Sequence, residues 1–462
     1  MATPLPEARD RRRVAVVGSG VAGLTAAHVL ARSSRPHHVT LYEADNRLGG
    51  HAHTHDLLLA TPSGERTIGV DTGFIVHNDR TYPTLCRLFA ELGVETQDSD
   101  MSMSVRDDAA GLEYAGARGL RGLFPAARNA HTPAYLRMLL EVRRFHRAAR
   151  RVMDVPSAPG MPGETLGAFV DRVGFSPFFV RSFLEPLVAA VWSCGPGVAL
   201  DYPARYLFTF LDHHGMLTVF GSPTWRTVTG GSARYVERVA AGVDDVRLNR
   251  PVGTVKESAD AVTVTDGHGA SATYDAVVIA THPHQALAML AEPSVRQREV
   301  LGAITHTPNV AQLHTDESVL PRSPGARASW NYWRRANGDP DDAVLVSYDI
   351  SRLMRIDVPG TRFIVTLGGA DRVDPATVID TVSYEHPLYT SESVAAQAQL
   401  PSIRSPRVAF AGAYHGWGFH EDGALSGVEA ARHLGVEWEP ATSHPGGQPP
   451  SLLDPRREPV AS

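Results

Sequence analysis

The chain has 462 residues, 20% of them charged, and a formal net charge of −6. It is long enough for two joined domains around a sizeable core, and its mild acidity argues against a nucleic-acid partner. Cys86 and Cys194 alone give no disulfide framework, the arginine-bearing N-terminus lacks an apolar segment behind it, and no apolar run reaches membrane-spanning length, so the chain reads as a soluble cytoplasmic protein.

The apolar run Val14-Ala-Val-Val17 leads straight into Gly18-Ser-Gly20-Val21-Ala22-Gly23. This predicts a buried strand, a tight turn and a helix. Gly18 permits the turn, Gly20 lets backbone approach a pyrophosphate, and Gly23 lets the helix pack on the strand. The helix N-terminus offers free N–H groups to the phosphates. A second strand, 38–42, ends in Glu43, roughly 20 residues past the last glycine, where an acid grips an adenosine ribose. The pattern implies a bound dinucleotide without choosing between NAD and FAD. Arg47 with Gly49 and Gly50 adds charge-assisted phosphate bonds and a second close backbone approach. His51, His53 and His55 alternate, so an extended segment would show all three on one face. We read them as structural or cofactor-contacting and assign no metal site; a covalent bond from a histidine to the cofactor is the other reading kept open.

Residues 77–224 read mostly as helices, at 84–92, 133–153, 165–173 and 177–192. The second is rich in arginine between Arg137 and Arg151. It reads as a solvated helix face, with contact to an anionic membrane surface or an acyl-substrate entry as the second reading. Tyr206, Phe210 and His213 or His214 share one helical face. That stripe fits core packing, or an apolar tunnel in which Arg205 holds a carboxylate.

Residues 251–265 alternate as a hairpin, and 274–281 read as another buried strand with no glycine fingerprint after it, which leaves no second site for NAD(P)H. Strand patterns at 343–349 and 362–367 mix with short helices, and the Pro-, Ser- and Gly-rich tail from residue 437 reads as disordered. Of the 44 basic residues only Lys256 is lysine, and it lies in the hairpin.

Taken with Arg47-Leu-Gly49-Gly50 and with Phe410-Ala-Gly412 leading to Gly423-Ala-Leu-Ser-Gly427, the N-terminal motifs resemble the flavin amine oxidase, protoporphyrinogen oxidase and phytoene desaturase superfamily. The segments 70–83, Trp192-Ser193, 230–232 and 418–423 are similar to a bacterial subfamily of NAD/FAD-binding oxidoreductases associated with lipid-modifying enzymes such as cyclopropane fatty acid synthases. The resemblance covers roughly residues 12 to 436.

It implies an α/β fold: a Rossmann-type FAD-binding domain built from 12–76, 225–285 and 405–436, with an inserted α+β substrate domain from 77–224 and 286–404. FAD contacts are then expected from Glu43, Ala44, Arg47, Gly49, Gly50, His51, Thr72, Gly73 and Phe74. Val252 or Val255 near the adenine, Ala280 on the returning strand, Gly412, and Gly423 with Ala424 on a helix facing the flavin complete the set. In amine oxidases an aromatic residue stands three positions before the first glycine of that helix; here it is His420, whose imidazole can move protons. Glu421 and His415 are the reserve candidates, and Glu421 equally suits capping a helix N-terminus. A lysine beside flavin N5, common in amine oxidases, is not available.

The expected function is hydride transfer at flavin N5 with an apolar, unsaturated or acyl-chain small molecule, with oxygen or an electron carrier as acceptor. A lysine-free amine oxidase and a redox-neutral double-bond isomerase are the alternatives.

Overall fold

The computed structural model describes residues 11–34, 37–61, 64–155, 163–192, 199–217, 223–335, 345–369 and 371–439. Ser193, Cys194, the first two positions of the strand read from Ala343, and the tail beyond residue 439 lie outside the described residues.

Strands β1 (Arg12–Val17), β2 (His37–Tyr42), β3 (Asp245–Arg247), β4 (Ala276–Ile279) and β5 (Val408–Phe410) form one parallel sheet in the order β3-β2-β1-β4-β5. Its central strands are apolar at consecutive positions because helices cover both faces of such a sheet. The sheet is therefore assembled from three distant stretches of sequence.

Six helices matter for the site: α1 (Val21–Ala31), α2 (Pro83–Leu92), α3 (Pro133–Asp154), α4 (Ala204–His213), α5 (Pro283–Met289) and α6 (His420–His433). Helix α1 is buried at ten consecutive positions, from Val21 to Leu30. It has no solvent face because α6 lies directly against it: a Cβ on Gly427 would sit 2.3 Å from the Ala22 carbonyl oxygen, and one on Gly423 would sit 2.6 Å from Val21 Cγ1. Helix α2, which the sequence grouped with the insert, packs Leu85, Leu88 and Phe89 into the same core as Val14, Val16 and Leu24. Strands His77–Asn78 and Thr96–Asp98 likewise pair with Trp225–Val228.

A seven-stranded sheet faces this unit. It is antiparallel except where Trp330–Arg334 runs parallel to Met103–Asp107. One aromatic core, including Phe145 of α3, Phe208 and Phe210 of α4, and Tyr332 of the sheet, joins the helices to it. Helix α3 is amphipathic as expected, burying Tyr135, Met138, Phe145 and Ala149 and turning most of its arginines outward. No described helix is long and apolar enough to cross a membrane.

Candidate active site

A cavity of about 870 Å³ opens where the parallel sheet meets the seven-stranded one. Its floor is made by the residues that follow the strands: Gly18–Ala22 after β1, Glu43–Asp45 after β2, Ala280–His282 after β4 and Gly412–Tyr414 after β5. This is the crevice beyond the carboxyl ends of parallel strands, where doubly wound sheets bind ligands.

The glycines divide into two kinds. Gly18 has φ +96° and would place a Cβ 2.7 Å from the Ala280 carbonyl oxygen, and a Cβ on Gly23 would lie 1.9 Å from the Gly18 carbonyl oxygen. These two make the turn and the helix packing. Gly20 has nothing within 4 Å of a hypothetical Cβ, so its missing side chain leaves room in the cavity. The N-termini of α1 and α6 both reach this wall and bring the positive ends of their dipoles to it.

Glu43 is held in place by the Ser19 N–H, which donates to Oε2 at 2.9 Å, and by the Asp45 N–H, which donates to Oε1 at 3.0 Å. Arg47 donates Nη1 to the Gly50 carbonyl at 2.9 Å and lies on the cavity wall. Val252 lines the cavity, whereas Val255 is buried in the core below. Farther along, His51 Nε2, Tyr414 Oη and His420 Nε2 are buried without hydrogen-bond partners. A glycine cradle, a fixed carboxylate and three orphaned polar groups on one wall fit a long polar ligand of the FAD type.

Of the expected contacts, Ala44, Thr72, Gly73 and Phe74 also line the cavity. Gly49, Gly423 and Ala424 lie behind the wall. Gly49, at φ +108°, shapes the Arg47 turn, while Gly423 and Ala424 pack in the helix core. His51 stacks on Tyr384 at 4.7 Å between ring centroids, His53 Nδ1 lies 3.4 Å from the Tyr384 hydroxyl, and His53 and His55 pair with each other at 4.2 Å.

The three proton-transfer candidates separate. His420 lines the cavity and stacks on Phe74. Burial, with His77 nearby, lowers its pKa from the ordinary imidazole value to about 3. His415 lies behind the wall, and burial lowers it to about 4. Glu421 is turned away from the cavity. Its two oxygens accept from the Thr84 and Leu85 N–H groups at 2.9 and 3.0 Å, closing the first turn of α2, and burial raises its pKa.

Arg205 is also committed elsewhere, donating to the Val152 and Met153 carbonyls at the end of α3 at 2.7 and 3.1 Å rather than holding a substrate carboxylate. Lys256 is 64% exposed, 3.8 Å from Glu292, and not on the cavity wall.

The aromatic stripe on α4 divides between packing and the cavity wall. Tyr206 donates to the Gly416 carbonyl at 2.9 Å, as does Tyr389 at 3.0 Å, which fixes the loop before α6. Phe210 and His214 face the cavity, and Phe210 stacks on Phe419 at 4.9 Å. Trp192, Met216, Trp225 and Trp330, from separate elements, complete the wall. Tyr384 and His386 also line it; their two-residue spacing on one strand was the available signal.

The family described as flavin containing amine oxidoreductase matches residues 21–435. The flavin-dependent L-tryptophan oxidase RebO of Lentzea aerocolonigenes is 25% identical over 304 residues, 60% of each chain, so the match spans less than two thirds of that relative. Tryptophan 2-monooxygenase of Allorhizobium ampelinum is 32% identical over 114 residues, 25% of this chain and 14% of that one. Cyclohexylamine oxidase from Brevibacterium oxydans superposes with a TM-score of 0.64 at 17% identity, over 92% of this chain and 98% of the other. A CLA-producing fatty acid isomerase from P. acnes does so with a TM-score of 0.65 at 15% identity, over 91% and 98%.

Proposed function

Because the chain belongs to the flavin-containing amine oxidoreductase family, we propose that it is an FAD-dependent oxidoreductase acting on an apolar small molecule with an unsaturated or acyl chain. The observation that carries this reading is the composition of the cavity beyond the cofactor-binding floor. Trp192, Phe210, Met216, Trp225, Trp330 and Phe419 form an aromatic and aliphatic wall. Among the described residues the acids on the cavity wall are Glu43, Asp45 and Glu385. The first two follow β2, and Glu385 is 2.7 Å from His282 Nδ1. A cationic substrate held at the aromatic wall would meet no carboxylate there, whereas an alkyl chain gains from leaving water.

FAD, when bound, supplies hydride exchange at N5. Gly20 leaves space that its diphosphate would take, Glu43 would accept from the ribose, and Arg47 would add positive charge. The N-terminus of α6 favours negative charge at the far end. The aromatic wall excludes water, and His420 presents a neutral imidazole beside Phe74. The glycine fingerprint after β1 is the dinucleotide cradle on the described sheet, so reoxidation is assigned to oxygen or an electron carrier rather than to NADPH.

The test is anaerobic incubation of the flavin-loaded protein with unsaturated fatty acids and, separately, with primary amines, following the yellow absorbance and analysing products by mass spectrometry. Bleaching by the lipids alone is expected. Bleaching by amines alone overturns the reading in favour of amine oxidation. Double-bond movement without net bleaching replaces oxidation with isomerisation.

A further inference from the structure

On the rim of the same cavity, two histidines and a glutamate converge from two elements that are far apart in sequence. His282 and His284 begin α5, just after β4, and Glu385 lies on the strand Val378–Pro387 of the seven-stranded sheet. His282 Nδ1 is 2.7 Å from Glu385 Oε2, His284 Nε2 is 3.8 Å from the same oxygen, and one donor atom from each of the three lies within 4.8 Å of the others. A tetrahedral zinc ion with bonds of ~2.0–2.1 Å separates its donor atoms by roughly 3.3 Å. The observed distances bracket that value, so small side-chain rotations close the set.

The rest of the surroundings is also built for it. The His282 ring is stacked on His306 at 4.4 Å and 22°, and its backbone N–H donates to Gln285 Oε1 at 3.1 Å. His306 Nδ1, on the ring stacked against His282, is buried with no hydrogen-bond partner. His284 and Glu385 are 55% and 36% exposed, which leaves an entry path and an open coordination position for water.

We propose that His282, His284 and Glu385 bind one divalent cation of the zinc class, fastening the start of α5 to the substrate-facing sheet at the cavity rim. Two imidazoles and a carboxylate suit zinc and its late first-row neighbours and are a poor match for calcium or magnesium, which prefer all-oxygen shells. Three protein ligands with one open position make the site closer to an exchangeable or chemically active site than to a closed structural one. The proposal is independent of the substrate reading, because binding needs no turnover.

The test is isothermal titration of Zn2+ into flavin-loaded protein that has been stripped with a chelator, alongside His284→Ala, Glu385→Gln and, as a control, the exposed His268→Ala. One equivalent should bind the wild type and the His268→Ala protein alike, with a rise in melting temperature on addition of Zn2+. His284→Ala and Glu385→Gln should each weaken that event by at least about tenfold and remove the melting shift, while melting like wild type without metal. Indistinguishable titrations of wild type and both ligand variants, or no stoichiometric event in the wild type, would overturn the proposal.

Discussion

The rings of Phe74 and His420 lie face to face, with centroids 3.8 Å apart and planes 14° from parallel. Phe74 is fixed by its own N–H, which donates to the His51 carbonyl at 2.7 Å, and His420 is the first residue of α6. This stack fixes the imidazole on the cavity wall and keeps it from solvent, so it stays neutral across the physiological range.

If His420 carries or positions a proton during flavin reduction, His420→Ala should retain FAD yet slow anaerobic reduction by about a hundredfold or more. The wild-type rate should show no inflection from this group between pH 5 and 8, since its pKa lies near 3. Stopped-flow measurement across that range checks both; an unchanged rate in the variant would leave His420 only a wall of the pocket.

Glu421 should behave in the opposite way. Its carboxylate closes the first turn of α2 through Thr84 and Leu85, so Glu421→Ala leaves two N–H groups without their acceptor. The expected cost is about 1–3 kcal/mol, read by denaturant titration, with the rate of flavin reduction per bound flavin unchanged.

The two kinds of glycine predict two kinds of failure. A Cβ at position 20 meets no protein atom within 4 Å, so the Gly20→Val protein should fold and purify colourless, because the new side chain occupies the diphosphate space. Gly23→Val places its Cβ 1.9 Å from the Gly18 carbonyl oxygen and should fail to give folded protein. Circular dichroism together with flavin content separates the two; a yellow Gly20→Val protein would show that the cradle lies elsewhere.

Stability should fall on acidification. Burial lowers His77, His214, His314 and His415 to about 4 and His420 to about 3, from an ordinary value of 6.5. The unfolded chain therefore binds more protons than the native one at these five positions. Their contribution is complete above about pH 6.5 and is lost as pH falls through 6.5 towards 4. Asp71 and Asp422, which burial raises to about 6 and about 7, and Glu421, also raised, act in the opposite sense over a similar window. Burial also lowers His53 and His386 to about 4 and His306 to about 3 and raises Glu185, so the lowered histidines outnumber the raised carboxyls and the net effect is a loss. Thermal melts in excess FAD should show a lower midpoint at pH 5 than at pH 7.5, and equal midpoints would refute this balance.

The sequence by itself determined four of the five strands of the parallel sheet, the glycine turn, and the position of Glu43 and Arg47 just after the second strand. Each of these is written in a short contiguous stretch whose period or glycine spacing has one physical meaning. Tertiary structure alone decided where α2 packs, that Glu421 caps it, that Arg205 ends α3, and that four aromatic and aliphatic residues from separate elements complete the wall around Phe210. It also decided the protonation of His420 and the meeting of His282 with Glu385. Periodicity records which face of an element is apolar but not which element covers it. Burial and charge at a side chain depend on those covering neighbours, which the linear order does not place.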